Sequence, residues 1–138
     1  MITFITGKKG SGKTKKLIER ANAAVAASKG NVVVIEKGLK LTYDVDHAAR
    51  LIDIEAYGIK GADALFGFIS GICAGNYDVT DILVDSTLKI IGQDLEQLVP
   101  FAEKMNALAA MANTTLTFLV SADSADLPDA LHEYVSEV

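Results

Sequence analysis

The segment Gly7-Lys8-Lys9-Gly10-Ser11-Gly12-Lys13-Thr14 constrains this chain more than any other feature. It fits the spacing G-x-x-x-x-G-K-[ST] at every position. Before it lies a short apolar run, ITFIT at 2–6; after it, Leu17, Ile18, Ala21, Ala24 and Val25 recur at helical spacing. That succession predicts a buried strand, a tight loop and a helix, in that order. Gly7, Gly10 and Gly12 free the backbone to turn successive N–H groups inward, and the helix start adds a partial positive charge. Such a loop, with Ser11 inside it, cradles phosphates; Lys13 reaches the β- and γ-phosphates and the Thr14 hydroxyl ligates Mg²⁺. Lys8 and Lys9 are free positions of the motif, and their charges add only to the local field.

The rest of the chain alternates apolar runs with helical patterns. VVVIE at 32–36, LIDI at 51–54, DILVDS at 81–86 and TLTFLVS at 115–121 read as further strands. Helical spacing covers about 13–28, 61–75, 93–112 and 128–136, with Pro100 kinking or restarting the third and Pro128 opening the last. A short helix near His47–Arg50 is expected inside the irregular stretch 37–50. The rhythm predicts an α/β fold, a three-layer sandwich around a five-stranded, mostly parallel sheet. Gly67, Gly71 and Gly75 recur every four residues, with Ala64 and Ser70 nearby. They read as a close-packing face toward the sheet or a neighbour, or else as a self-association face. Cys73 falls in the same apolar pattern and reads as a core filler.

Composition narrows the function classes. A chain of 138 residues predicts one domain over 1–138. Hydrophobic residues at 50% and charged residues at 22% exclude disorder, and no apolar run approaches the ~18 residues of a membrane span. A single cysteine excludes an internal disulfide and a multi-cysteine zinc site; His47 and His132, far apart in sequence, argue against a His-rich metal site. The net charge of −5 argues against duplex nucleic acid as the main partner. The N-terminal lysines follow the apolar stretch instead of preceding it, so a secretory signal is not expected and the cytoplasm is.

A second candidate element is Ile82-Leu83-Val84-Asp85-Ser86, an apolar strand ending in an acid. At the C-terminal edge of a parallel sheet Asp85 would stand on the same edge as the glycine loop and hold Mg²⁺; the alternative is a turn or helix cap. With this order of elements the chain resembles the RecA-like branch of P-loop NTPases. The resemblance spans nearly the whole chain, though only the glycine loop is a specific motif. It implies ATP and Mg²⁺ as cofactors and a spatial strand order LIDI, VVVIE, ILVDS, TLTFLVS, ITFIT. It implies that Glu36, ending the second strand, activates the attacking water. Asp85-Ser86 looks like the family's acid and following serine. Ser121, closing the next strand, stands where the family senses the γ-phosphate, more usually with Gln or Asn. Outside the resemblance, Glu36 reads equally as a solvated strand end beside Lys37.

Three functional classes stay open on the sequence. The first is a minimal NTPase that binds Mg·ATP and hydrolyses it slowly, with Lys13 and Glu36 catalytic. The second is a regulatory nucleotide-binding module with little hydrolysis. The third is a small-molecule kinase, which the shortage of insertions and arginines disfavours. Arg20 and Arg50 are the only arginines, so a homo-oligomer or a protein partner is expected to supply any activating charge. No guanine-reading Asn/Thr-Lys-x-Asp motif is present, which favours ATP.

Overall fold

Six strands hydrogen-bond into one sheet in the computed structural model, which describes residues 1–41 and 43–137. Thr42, inside the irregular stretch 37–50, and Val138 lie outside the described residues. The strands are β1 (Ile2–Thr6), β2 (Asn31–Glu36), β3 (Arg50–Asp53), β4 (Val79–Val84), β5 (Thr115–Val120) and β6 (Val135–Glu137). Their spatial order is β3-β2-β4-β5-β1-β6, and every neighbouring pair is parallel. The five expected strands stand in the order anticipated from sequence.

Four α-helices flank the sheet: α1 (Lys13–Ala27), α2 (Ala62–Gly75), α3 (Thr87–Ile91) and α4 (Leu98–Ala112). Because strand side chains alternate, each buried strand feeds two cores. Ile5, Val34, Leu83 and Leu119 join Leu17 and Ala21 of α1 on one face. Phe4, Ile35, Val84 and Phe118 join Leu65 and Ile69 of α2 and Met105 of α4 on the other. Phe118 is the hub of that second face, with ring centroids 5.7 Å from Phe4 and 5.2 Å from Phe101. Cys73 is 8% exposed in the same cluster, as expected of a core filler.

Several expectations give way to tertiary context. The last segment is not a helix over 128–136. It is a 3₁₀ turn at Asp129–Tyr134 followed by β6, which pairs with β1 at Phe4, Ile5 and Thr6. Three residues with one apolar side chain give no legible strand pattern, and only the free edge of β1 makes them one. The third helix is divided. A 3₁₀ turn spans Leu95–Gln97 and α4 begins afresh at Leu98, so Pro100 sits in the first turn, where its missing N–H costs little. No helix forms near His47–Arg50; the Asp46 side chain accepts the Ala48 N–H in a turn (2.9 Å), and Arg50 already opens β3. No described helix is long and apolar enough to cross a membrane.

The glycines of α2 are also placed differently. Leu65, Ile69 and Cys73 face the core. Gly67, Gly71 and Gly75 lie two residues on, about 200° around the helix, and face outward. A Cβ at any of the three would meet nothing within 4 Å, so close packing on the sheet does not explain them. Gly30 is the opposite case, because a Cβ there would run into the carbonyl oxygen of Asp78. Gly67→Ala and Gly71→Ala should each stabilise the fold by about 0.5–1 kcal/mol through helix propensity. Gly30→Ala should destabilise it. Urea denaturation of the three variants tests this, and a loss of stability in either α2 variant would overturn the outward placement.

Candidate functional site

The glycine loop leaves the C-terminal end of β1 and opens α1. Gly7 N–H donates to the Ala122 carbonyl (3.0 Å), which ties the loop to the segment after β5. Gly10 and Gly12 take φ of 83° and 93°, a region that strains any side-chain-bearing residue. A Cβ at Gly7 would run into the Ser11 side chain and lie 3.3 Å from Lys13 Cγ. Gly12 caps α1 without a side-chain acceptor, and the first turn holds no acid. The free N–H groups of this fifteen-residue helix are therefore met by no carboxylate or hydroxyl of its own start, which leaves its positive end for an outside anion.

Lys13 is the first residue of α1 and is only 6% exposed. Its Nζ donates to the Lys8 carbonyl (2.9 Å) across the loop, and Ser11 N–H donates to the same oxygen (3.0 Å). Burial lowers the Lys13 ammonium pKa, and the Asp85 carboxylate partly offsets this. Thr14, Lys9, Gly10 and Ser11 are exposed. Lys8 reaches Asp123 across the loop, with Nζ to Oδ2 at 3.8 Å.

The acidic side of the edge follows from strand periodicity. Val34, Leu51 and Leu83 face α1, so Glu36, Asp53 and Asp85, each two residues on, continue that face. Glu36 pairs in register with Asp53. Asp85 N–H donates to the Ile35 carbonyl (2.8 Å), which extends the β4–β2 ladder by one rung. The three strand-end acids thus form a row on the face whose helix begins with Lys13. Ser86 follows with φ 58°, an unusual backbone for a residue other than glycine, and its hydroxyl donates to Asp85 Oδ2 (3.1 Å).

Glu36 is 1% exposed. Its Oε1 accepts Lys40 N–H (2.7 Å) and its Oε2 accepts Leu41 N–H (3.3 Å). The solvated reading of this residue does not hold, and Lys37 pairs instead with Glu55 at 3.8 Å. Burial raises the Glu36 pKa; the two N–H bonds oppose the rise, and the charges of Asp85 and Asp53 add to it. Ser121 follows β5 directly, is exposed, and neighbours the Ala122 carbonyl that holds Gly7. The fold therefore brings Gly7–Thr14, Glu36, Asp85 and Ser121 to one edge of the sheet.

Two residues of this edge were not singled out from sequence. Asp53 accepts N–H bonds from Gly38 (2.8 Å) and Glu55 (3.0 Å). Its signal was present, since LID ends a strand in an acid just as VIE and LVD do. Asp123 had none, because only the return of β5 beside β1 sets it near Lys8.

No protein-family model matches this chain, and no curated protein matches it in sequence. Among solved structures, C. elegans PCH-2 is similar over 99% of this chain, with a TM-score of 0.57 and 14% identity. The match covers 35% of that chain, so this chain spans about a third of its length. The likeness shows the fold alone, an α/β arrangement with helices on both faces of a parallel sheet.

The raised Glu36 pKa sets a pH dependence of stability. The folded state holds the Glu36 proton more tightly than the unfolded chain. This contribution is fully present below the unfolded glutamate pKa and is lost as pH rises through the raised folded value. Relative to Glu36→Gln, the parent should lose stability as pH rises from the ordinary glutamate range. Urea midpoints of both proteins across pH 4 to 8 measure it, and a pH-independent difference would contradict the burial-driven shift.

Proposed function

We propose that residues 1–138 act as one nucleotide-binding unit. In this reading the Gly7–Thr14 loop binds the phosphates of a nucleoside triphosphate, ATP by preference, with Mg²⁺, and slow hydrolysis follows. The observation that carries it is the placement of Lys13. It is a buried ammonium at the first residue of a helix whose start holds no acid, on the sheet face shared with Asp85 and Glu36. The PCH-2-like fold supports nucleotide binding in general terms.

The donor set fits the cofactors. A Cβ at Gly7 would run into the Ser11 side chain and crowd Lys13, and Gly12 starts α1 with no side-chain acceptor on its N–H groups. Thr14 and Asp85 offer one hydroxyl and one carboxylate for Mg²⁺, the rest of its octahedron falling to phosphate oxygens and water. Among the described residues, no group of three or more His, Cys, Asp or Glu is placed to hold a metal ion. Bound Mg²⁺ supplies charge neutralisation on the β- and γ-phosphates. Lys13 adds positive charge there, Ser121 adds a hydroxyl beside the loop, and Glu36 accepts a proton from water.

One observation favours the regulatory reading. Both Glu36 oxygens already hold backbone N–H groups of Lys40 and Leu41, which suits a residue that shapes the loop after β2. The arginines do not favour fast turnover either. Arg20 donates to Ser136 Oγ (3.1 Å) and Arg50 opens β3 at the far end of that strand. An activating charge would come from a second copy or another protein.

Lys13→Ala should abolish calorimetric binding of Mg·ATP while the circular dichroism spectrum stays that of the parent; unchanged affinity would remove the nucleotide reading. Glu36→Gln should bind Mg·ATP as the parent does and turn it over about 10²–10⁴-fold more slowly in single-turnover assays, the loss typical of a removed general base. Asp85→Asn should instead raise the Mg²⁺ concentration needed for half-maximal turnover. Parent-rate hydrolysis in Glu36→Gln would remove the catalytic assignment of Glu36; no turnover in the parent would leave the regulatory reading.

A further inference from the structure

A second concavity opens on the same edge of the sheet. Its walls come from the segments that follow three neighbouring strands: Lys37 after β2, Ile54 to Lys60 after β3, and Lys89 to Gly92 after β4. The cavity encloses about 590 Å³, inside the range that holds small organic ligands. In open α/β sheets, ligands bind outside the carboxyl ends of the strands, where this cavity lies.

Its lining divides into two parts. The floor is Ile54, Ile90 and Ile91, exposed by 1%, 5% and 7%, and all three belong to the core under α2 and α3. The lining also includes three lysines, Lys37, Lys60 and Lys89, against a single acid, Glu55. That acid lies 3.8 Å from Lys37; Lys60 and Lys89 have no ion-pair partner among the described residues. The cavity therefore carries two net positive charges in a chain whose net charge is −5. Cations gathered around one concavity repel each other, and an apolar floor focuses their field into it. The arrangement suits a ligand with the opposite charge at one end and apolar surface at the other.

We propose that this cavity binds a small organic anion, with its apolar body on the isoleucine floor and its charged group among Lys37, Lys60 and Lys89. The site is separate from the glycine loop and does not depend on the nucleotide reading. Recognition combines burial of an apolar body with ammonium–anion hydrogen bonds on the rim.

Phenyl phosphate is the test ligand, and inorganic phosphate is the arm without an apolar body. In amide NMR spectra of the full chain, phenyl phosphate should shift Gly58, Lys60 and Gly92 in a saturable manner. Inorganic phosphate should bind the same residues more weakly. Lys60→Gln with Lys89→Gln keeps polar stems on two exposed positions and removes their charge. That variant should weaken phenyl phosphate binding at this cavity by about tenfold or more. Lys13→Ala should leave these shifts as they are, so loss of the nucleotide site and loss of this one are read separately. Shifts confined to Gly10–Thr14, equal binding of the two phosphates, or parent affinity in the double variant would overturn the proposal.

Discussion

Parallel pairing governs everything placed on this molecule's surface. Each of the six strands runs the same way as its neighbours, so every C-terminal end arrives at one edge. The glycine loop, Glu36, Asp53, Asp85, Ser121 and the lysine-rimmed cavity all follow strand ends. The loop, Glu36, Asp53, Asp85 and Ser121 lie far apart in sequence and meet only through this alignment. The insertion of β5 between β1 and β4 sets the spacing along the edge. Two strand widths, about 10 Å, separate the end of β1 from the end of β4. A direct β1–β4 pairing would bring Asp85 one strand width closer to the loop.

Strand periodicity then decides what faces what. A shift of one residue in β2 or β4 would send Glu36 or Asp85 to the α2 side, away from Lys13. In the observed register the acids share the α1 face, and their charges bear on one another: Asp85 steadies the Lys13 ammonium while it disfavours the Glu36 carboxylate. Glu36 is thus held in tension between two backbone N–H donors and two neighbouring acids. A cation reaching Asp85 would relieve part of that tension, which couples any metal at Asp85 to the ionisation of Glu36.

The legible parts of the sequence were those where local pattern and tertiary demand agree. VVVIE and ILVDS are β-branched or aliphatic runs too short for helices, and both became central strands buried on two faces. Lys13–Ala27 carried its apolar stripe at the right spacing, and its start was fixed by Gly12. The order of five strands was readable because RecA-like resemblance and short right-handed crossovers leave few alternatives. What escaped was set by contacts distant in sequence. β6 exists because β1 has a free edge, not because Val135–Glu137 prefers to be extended. Packing of the α2 glycines on the sheet was not decidable from sequence, because a regular small-residue spacing does not say which way its face points; Leu65, Ile69 and Cys73, four residues apart themselves, decide that. The cavity beside β2, β3 and β4 joins residues 37, 60 and 89, and no window of sequence spans them.

The glycine loop itself is closed by its own lysine. Lys13 Nζ donates to the Lys8 carbonyl, and a hydrogen bond to a charged group contributes about 1.5–3 kcal/mol. An anion entering the loop competes with that bond, so a weakly charged ligand gains little. A triphosphate brings several negative oxygens to a buried ammonium whose pKa is lowered by its surroundings. Restoring the stability of the charged lysine adds to the gain, and the fixed N–H groups of α1 contribute without further ordering. In the proposed reading, the same burial that makes Lys13 costly in isolation would make the loop favour highly charged anions. Exposed lysines, such as those rimming the second cavity, attract anions through their field but impose no such threshold, which is why the apolar floor there must supply the discrimination.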